Sequence, residues 1–291
     1  MITTGSTSLG FSNATEVIDT STNSTTCTNL QQYPLAVFGS MGVLNNNGKP
    51  LICGGFGSGT AFKECYFFDS NGWTATFPMI TARFNAAMTR SPFSDKSQHV
   101  LVAGGGGANS SVLGSVEVLT DNGWEIFTPA LPTTMFGHCM VIRSPSTVMI
   151  ISGNQGGSYS GNTYTLNDFQ TYWANGPPLN IPRFGHSCGK ILENGKSTKF
   201  SIIVVAGHNS NGFSPLEFLD EDALSWRLGQ NIPSFRYGLS LVEDLSGGII
   251  ILGGLSGSGV YSTSLYHLSN AGVSTQLELL TQKLSKGTNK C

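Results

Sequence analysis

The residues best suited to metal or acid–base chemistry are two histidines, His138 and His186, each of which follows an aromatic residue and a glycine. Imidazole is a common metal ligand and titrates near neutral pH. Cys139, Cys188 and His208 could extend the pair into a metal cluster. Cys139, however, is one residue after its histidine and Cys188 is two, so the cysteines are one residue out of phase with each other, and such an offset in a strand puts them on opposite faces. We therefore expect locally hydrogen-bonded histidines, and predict no metal site and no cofactor.

No other arrangement of residues predicts a catalytic site. The sequence contains no nucleophile elbow, phosphate-binding loop, HExxH motif or acid pair at recognisable spacing. Four glycines at 104–107 follow an apolar segment, but an alternating segment comes after them. No helix N-terminus is therefore available there to hold a phosphate.

Charge and hydropathy exclude several classes of partner. The net charge is −2 and only 11% of the 291 residues are charged, so no basic surface exists for nucleic acid. No apolar run of about 18 residues is present, which argues against membrane insertion. The first residues lack the basic and apolar regions of a secretory signal, so a signal is absent or was removed with a longer N-terminus. The 37 glycines predict many tight turns between short strands.

A repeat of roughly 50 residues runs through the chain. Each copy has an apolar segment ending in two small residues, an alternating segment typical of a strand, a tryptophan, and then an arginine followed by an aromatic residue. Such a unit cannot bury both faces alone, so it must stack radially, with the tryptophan filling the gap between neighbouring sheets. The small pairs are Gly54–Gly55, Gly104–Gly105, Gly153–Asn154, Gly207–His208 and Gly253–Gly254, and the tryptophans are Trp73, Trp124, Trp173 and Trp226, with Val273 in the last copy.

We predict an all-β fold, a six-bladed propeller with four antiparallel strands per blade, labelled a to d from the axis outward. A single domain would occupy residues 1–291. Its first blade would be split between residues 1–33 and residues 284–291. The first part would contain strands near 2–5, 15–19 and 27–32, and the second part would supply strand a and close the ring. The other blades are predicted at 34–82, 83–134, 135–182, 183–235 and 236–283.

The Gly-Gly pair, the segment Val116–Trp124 and the Arg-aromatic-Gly-His run at 183–186 together resemble the kelch repeat. This resemblance implies a kelch-type propeller, but the family includes scaffolds, actin binders, ubiquitin-ligase adaptors, sugar-handling enzymes and copper oxidases, so it implies no single activity. Met135 replaces the arginine in one copy and Val273 the tryptophan in another. These departures indicate a divergent, extracellular member.

One face of the predicted disc collects the long b–c loops and the d–a connections, and loops on a rigid scaffold commonly bind partners. We predict a non-enzymatic, monomeric propeller that binds a protein or glycan through this face. Each arginine could instead be structural, paired with a carboxylate such as Glu117 or Glu217. The candidate binding residues are Arg83, Arg183, Arg236, Tyr159, Phe213 and Tyr261.

The alternative function is a sugar-acting propeller enzyme, either a mutarotase-like isomerase or a copper oxidase-like protein. The oxidase type needs two histidines, two tyrosines and a cysteine cross-linked to one tyrosine, and the chain has 5 His, 8 Tyr and 6 Cys. No motif assembles them. Carboxylates facing the channel are scarce, which favours binding over catalysis.

Cysteines and glycosylation motifs bear on the compartment. Cys53 and Cys65 fall on the adjacent strands b and c, so a disulfide between them is possible. Cys27 is an alternative partner, and free buried thiols are a third possibility. Three Asn-x-Ser/Thr motifs make Asn13, Asn23 and Asn109 glycosylation candidates. We therefore predict secretion, with a cytoplasmic location as the alternative.

Overall fold

The computed structural model describes residues 2–16, 30–45, 47–93, 99–193, 199–212, 214–232, 236–262, 264–270 and 275–283. Regular structure within these residues consists of β-strands and a short 3-10 turn at Ala108–Ser110. In this described part of the chain, no helix is long and apolar enough to span a bilayer.

Five four-stranded antiparallel sheets follow one another along the chain. The first sheet contains β3 (Met41–Leu44), β4 (Pro50–Cys53), β7 (Cys65–Asp69) and β8 (Gly72–Thr76), and the second contains β9 (Ala87–Arg90), β10 (Val100–Ala103), β11 (Val116–Thr120) and β12 (Gly123–Phe127). The third contains β13 (Cys139–Ser144), β14 (Thr147–Gln155), β15 (Ser158–Asn167) and β16 (Ala174–Asn175), and the fourth contains β17 (Ser187–Leu192), β18 (Phe200–Val205), β19 (Glu217–Asp220) and β20 (Arg227–Leu228). The fifth contains β21 (Ser240–Glu243), β22 (Ile249–Leu252), β23 (Ser264–Asn270) and β24 (Thr275–Lys283). The first strands of successive sheets lie side by side. The sheets are therefore propeller blades, as predicted.

The core lies between the blades. Strand b is apolar along its whole length because neighbouring blades cover both of its faces, and all four residues of β10 are buried. Each tryptophan is buried and donates its indole N–H to the preceding blade: Trp124 bonds the Phe77 carbonyl at 3.0 Å, and Trp226 bonds the Pro177 carbonyl at 2.8 Å. The tryptophans thus fill the gaps between sheets and also join them by hydrogen bonds.

The prediction of six four-stranded blades is wrong, because the described residues form five. In place of the sixth blade they contain a hairpin of β1 (Ile2–Thr7) and β2 (Gly10–Glu16). The hairpin retains the turn of the repeat, since the Gly5 N–H bonds the Val37 carbonyl just as the Gly55 N–H bonds the Arg83 carbonyl. It corresponds to strands b and c, although β2 begins earlier than the predicted 15–19. Of the expected strand at 27–32, residues 27–29 lie outside the described residues and residues 30–32 are not in a strand; the expected strand a at 284–291 also lies outside them.

The position of the small-residue pair also needs correction in two blades. Its first residue has a left-handed backbone and its second is always glycine, which places the pairs at Ser152–Gly153 and Ala206–Gly207 rather than one residue later. A Cβ on Gly207 would lie 2.9 Å from the His186 Cβ and 3.2 Å from the Phe184 carbonyl oxygen. The glycine is required because φ there is +98° and the segment that leads into strand a of the same blade approaches closely.

Two disulfides are present among the described cysteines. Cys53–Cys65 joins residues directly opposite each other on β4 and β7, which confirms the predicted pair. Cys139–Cys188, which the sequence analysis did not predict, joins the innermost strands of two neighbouring blades. The one-residue offset that argued against a metal cluster explains this bridge, because the facing surfaces of adjacent sheets are opposite faces of the two blades.

We expect the disulfide between blades to stabilise the fold more than the one within a blade. The cysteines are 49 residues apart in Cys139–Cys188 and 12 apart in Cys53–Cys65. Loop-closure entropy then predicts losses of about 4 and about 3 kcal/mol when each pair is replaced by serines. Urea unfolding of the two double variants measures both values. A larger loss for the Cys53–Cys65 pair would contradict the expectation.

Candidate functional site

The three arginines predicted to bind a partner lie inside the protein. Their exposed fractions are 0% for Arg83, 0% for Arg183 and 2% for Arg236. Arg83 pairs with Glu117 and Arg183 with Glu217, each with an N–O distance of 2.5 Å. A guanidinium buried in this way cannot contact a ligand on the loop face. The three arginines are therefore structural residues, as the alternative interpretation stated, and they do not belong to the candidate site.

Each buried pair connects the entry of a blade to its third strand. Glu117 also accepts hydrogen bonds from the backbone N–H groups of Ile80 (2.8 Å) and Thr81 (3.0 Å), so the carboxylate is fully engaged. Arg83 donates to the Gly104 carbonyl at 2.8 Å. Burial lowers the pKa of Arg83, and the negative charge of Glu117 opposes that shift. The pair thus holds the d–a connection against the turn that ends strand b.

The other three blades have no glutamate at this position, and two of them have no arginine either. Tyrosine occupies the position of the glutamate in all three: Tyr66 lies opposite Ile52, Tyr164 opposite Ile150 and Tyr266 opposite Ile251, as Glu117 lies opposite Val102. The arginine position holds Val37, Met135 and Arg236, respectively. Arg236 lies 5.1 Å from the centre of the Tyr266 ring, a cation–π contact. A buried carboxylate therefore occurs at this position only opposite an arginine.

The two repeat histidines are structural in this fold. The Nε2 atoms of His138 and His186 bond the carbonyls of Ala103 (3.1 Å) and Ile151 (3.0 Å), which end strand b of the preceding blade. The bonds are therefore made between blades rather than locally. Burial lowers the pKa of His138 to about 4 and that of His186 to about 3. Within the described residues, no three His, Cys, Asp or Glu side chains are grouped so as to hold a metal.

A line of backbone hydrogen bonds links the blades where strand a begins. The carbonyl of Gly39 begins the series, and each later N–H donates to the equivalent carbonyl of the preceding blade at 2.7–2.8 Å. All the residues in it have a left-handed backbone, which aligns the peptide groups around the axis. This backbone relay consists of Gly39, Asn85, Gly137, Gly185 and Gly238.

An aromatic residue immediately precedes every member of the relay. Each of these side chains is partly exposed. Each residue also pairs with the residue that follows strand b, for example Phe184 with His208. The aromatic rings are therefore fixed by backbone contacts on both sides. We call this set the aromatic mouth; it consists of Phe38, Phe84, Phe136, Phe184 and Tyr237.

On one side of the aromatic mouth, polar aromatic groups converge. Tyr159 stacks on Phe184 with ring centres 5.4 Å apart, and the His208 ring lies 5.5 Å from Tyr159 and 5.7 Å from Tyr237. We call Tyr159, Phe184, His208 and Tyr237 the polar-aromatic side. Tyr159 was the predicted candidate here. Phe184 and Tyr237 were missed because they belong to the repeat pattern, and His208 was considered only as a metal ligand.

The remaining two candidate residues add little to this cluster. Tyr261 is 37% exposed and lies on the same loop face, where it pairs with Leu255, the partner of Tyr237. Phe213 lies outside the described residues. Among the described residues of the b–c loops and d–a connections, charge is almost absent: apart from the buried arginines, the charged residues are the adjacent Lys63 and Glu64, whose charges are opposite. The loop face is therefore neutral, aromatic and rich in small polar side chains.

Removing one member of a buried ion pair should be far more damaging than removing an exposed one. We expect Arg183→Met to lower the free energy of unfolding by about 3–5 kcal/mol, because Glu217 stays buried without its partner. The matched control is Arg227→Met, whose ion pair with Asp220 is exposed, and there the loss should be under about 1 kcal/mol. Urea unfolding measures both. Similar losses for the two variants would contradict a structural role for Arg183.

The buried histidines should make stability depend on pH. Their pKa values in the fold lie below the value of about 6.5 in the unfolded chain, so the unfolded state binds protons first as the pH falls. The free energy of unfolding should have its full value above pH 6.5. It should then decrease by up to about 1.4 kcal/mol per pH unit for each histidine as the pH falls towards 4. Urea unfolding between pH 7 and 4.5 tests this, with His186→Gln expected to reduce the slope. An unchanged slope in that variant would refute the assignment.

Comparisons with known proteins support the fold alone. No protein-family model matches the chain, and no curated protein matches it. A solved structure described as "Structure of YjhT" aligns with a TM-score of 0.72 and 12% sequence identity, over 86% of this chain and 86% of that one. The resemblance to the kelch family therefore stays a prediction. Structure and comparison agree that the chain is a β-propeller with four-stranded antiparallel blades.

Proposed function

We propose that this chain is a non-enzymatic binding propeller, and that its partner is a glycan held at the aromatic mouth. The observation that carries the proposal is the polar-aromatic side, where rigidly held rings and neutral polar groups converge on one loop face. Binding sites commonly combine aromatic surface with a few polar groups that orient the ligand. Sugar rings present C–H faces that pack on aromatic side chains, and hydroxyls that need hydrogen-bonding partners.

The neutrality of the face favours a glycan over the other predicted partner, a protein. Burial of Arg83, Arg183 and Arg236 removes the positive charge that would attract an acidic peptide. Asn154 and Gln155, both partly exposed, instead place amide groups next to Tyr159 in register. An uncharged sugar needs no ion pair, and amides both donate and accept hydrogen bonds to hydroxyls.

An extracellular location fits the same proposal. Two disulfides favour an oxidising compartment, since such bonds are rare in the cytosol. Of the three glycosylation candidates, Asn109 is exposed in a 3-10 turn on the loop face and Asn13 lies in β2. Asn23 falls outside the described residues. We propose secretion on these grounds.

The test is binding of immobilised neutral and acidic glycans, followed by calorimetry with the best sugar. Tyr159→Ala should weaken binding at least about tenfold, because stacking of an aromatic ring contributes on the order of 1 kcal/mol or more beyond lost contact area. Tyr172→Ala is the matched control, since this tyrosine is 65% exposed on the c–d turn at the opposite end of its blade. Absence of glycan binding by the parent, or equal affinity of the Tyr159 variant, would overturn the proposal.

One observation favours the enzymatic alternative, a sugar isomerase or oxidase. His208 lies in ring contact with Tyr159 and Tyr237, and an imidazole beside phenols can take part in proton transfer. The same samples discriminate between the functions: in proton NMR, faster exchange between the anomers of a bound reducing sugar, lost in His208→Gln, would establish an isomerase in place of a binding module.

A further inference from the structure

The aromatic mouth has a second side of different chemistry. Phe11 from the N-terminal hairpin lies 5.1 Å from Phe38, ring centre to ring centre, and Phe56 lies 5.6 Å from Phe38 and 5.1 Å from Phe84. Phe38 and Phe84 are 5.8 Å apart. These four residues form what we call the phenylalanine side. It has no hydroxyl or imidazole group among its rings, unlike the polar-aromatic side.

The phenylalanine side is held rigid and yet is open to solvent. Phe38 and Phe56 exchange two backbone hydrogen bonds of 3.1 and 2.8 Å, and Phe84 exchanges two with Gly106. Phe11 is 44% exposed, and the other three rings are partly exposed. Exposed apolar side chains held in a preformed cluster are typical of a ligand-binding site, where the bound ligand covers them.

The two sides are continuous along one rim. Phe84 precedes Asn85 in the backbone relay, and the Asn85 carbonyl accepts the Gly137 N–H at 2.8 Å. Phe136 therefore follows Phe84 around the axis, and its ring lies 6.0 Å from Phe184 on the polar-aromatic side. A single ligand that lies along the rim contacts an apolar surface at one end and a polar aromatic surface at the other.

From this juxtaposition we infer that the ligand is a glycoside with an apolar aglycone: its sugar binds the polar-aromatic side and its aglycone binds the phenylalanine side. The inference rests on the proposed function and specifies its ligand class. The shared chemistry is an uncharged sugar joined to an apolar group. An aryl glycoside and the sugar headgroup of a lipid both have it.

The experiment compares methyl, phenyl and octyl β-glucosides and β-galactosides on the intact protein by calorimetry and saturation-transfer NMR. We expect the phenyl or octyl compound of one sugar to bind about tenfold more tightly than its methyl compound, because the aglycone buries apolar surface. Tighter binding of the phenyl compound indicates an aryl ligand, and tighter binding of the octyl compound indicates a lipid-linked one. Equal affinities for all three would overturn this inference and leave glycan binding standing. No binding of any sugar, including those in the glycan screen, would overturn both.

A substitution locates the aglycone. Phe11→Ala should reduce the preference for the apolar aglycone about threefold, weaken saturation transfer to the aglycone protons and leave methyl glycoside affinity unchanged. Phe169→Ala is the matched control, because this phenylalanine is 93% exposed on the c–d turn of another blade. Because Phe11 is largely exposed on a hairpin edge, the variant should unfold in urea like the parent. An unchanged preference in Phe11→Ala would refute the placement of the aglycone.

Discussion

The close approach of each blade to the turn that ends strand b of its neighbour is the constraint on which the rest of the structure depends. At this turn one residue has a left-handed backbone and the next is a glycine, whose N–H bonds the carbonyl at the start of the following unit. A Cβ at Gly54 would lie 2.4 Å from the Arg83 carbonyl oxygen. Because this contact recurs between blades, it sets their spacing, aligns the backbone relay and brings the aromatic residues to one rim.

Sequence patterns predicted the features that follow from periodicity. The tryptophan spacing and the alternating segments led to four-stranded blades, and adjacent strands led to the Cys53–Cys65 bridge. The position of the small pair in two blades was misjudged because Gly153 and Gly207 were read as its first residue; Ser152 and Ala206 do not look like turn residues, although both adopt the left-handed backbone. The sixth blade was over-counted because the N-terminal segment contains one genuine repeat turn at Gly5.

The candidate site could be predicted only in part, because it depends on contacts between blades. Arg83 looked like a surface residue at the edge of a loop, and nothing in its own segment reveals that Glu117, far along the chain, buries it. Cys139 and Cys188 are expected on opposite strand faces, but the sequence does not show that these two faces meet across the gap between neighbouring sheets. Phe184 is an ordinary member of the repeat, and His208 follows the small pair at a position that varies from blade to blade. Their convergence with Tyr159 arises from the extended hairpin of β14 and β15, which places Tyr159 beside them.

The bridge between Cys139 and Cys188 has a mechanical consequence for the rim. It fastens together the two blades whose turns and loops carry Phe184 and His208 on one side and Tyr159 on the other. The disulfide lies on the innermost strands, close to the axis, and fixes the contact between these two blades. The joint where the N-terminal hairpin contacts Val37 and Phe38 has no disulfide among the described residues. One half of the rim is thus cross-linked between blades by a covalent bond, whereas the half that includes Phe11 is joined to its neighbour by a backbone hydrogen bond and a ring contact.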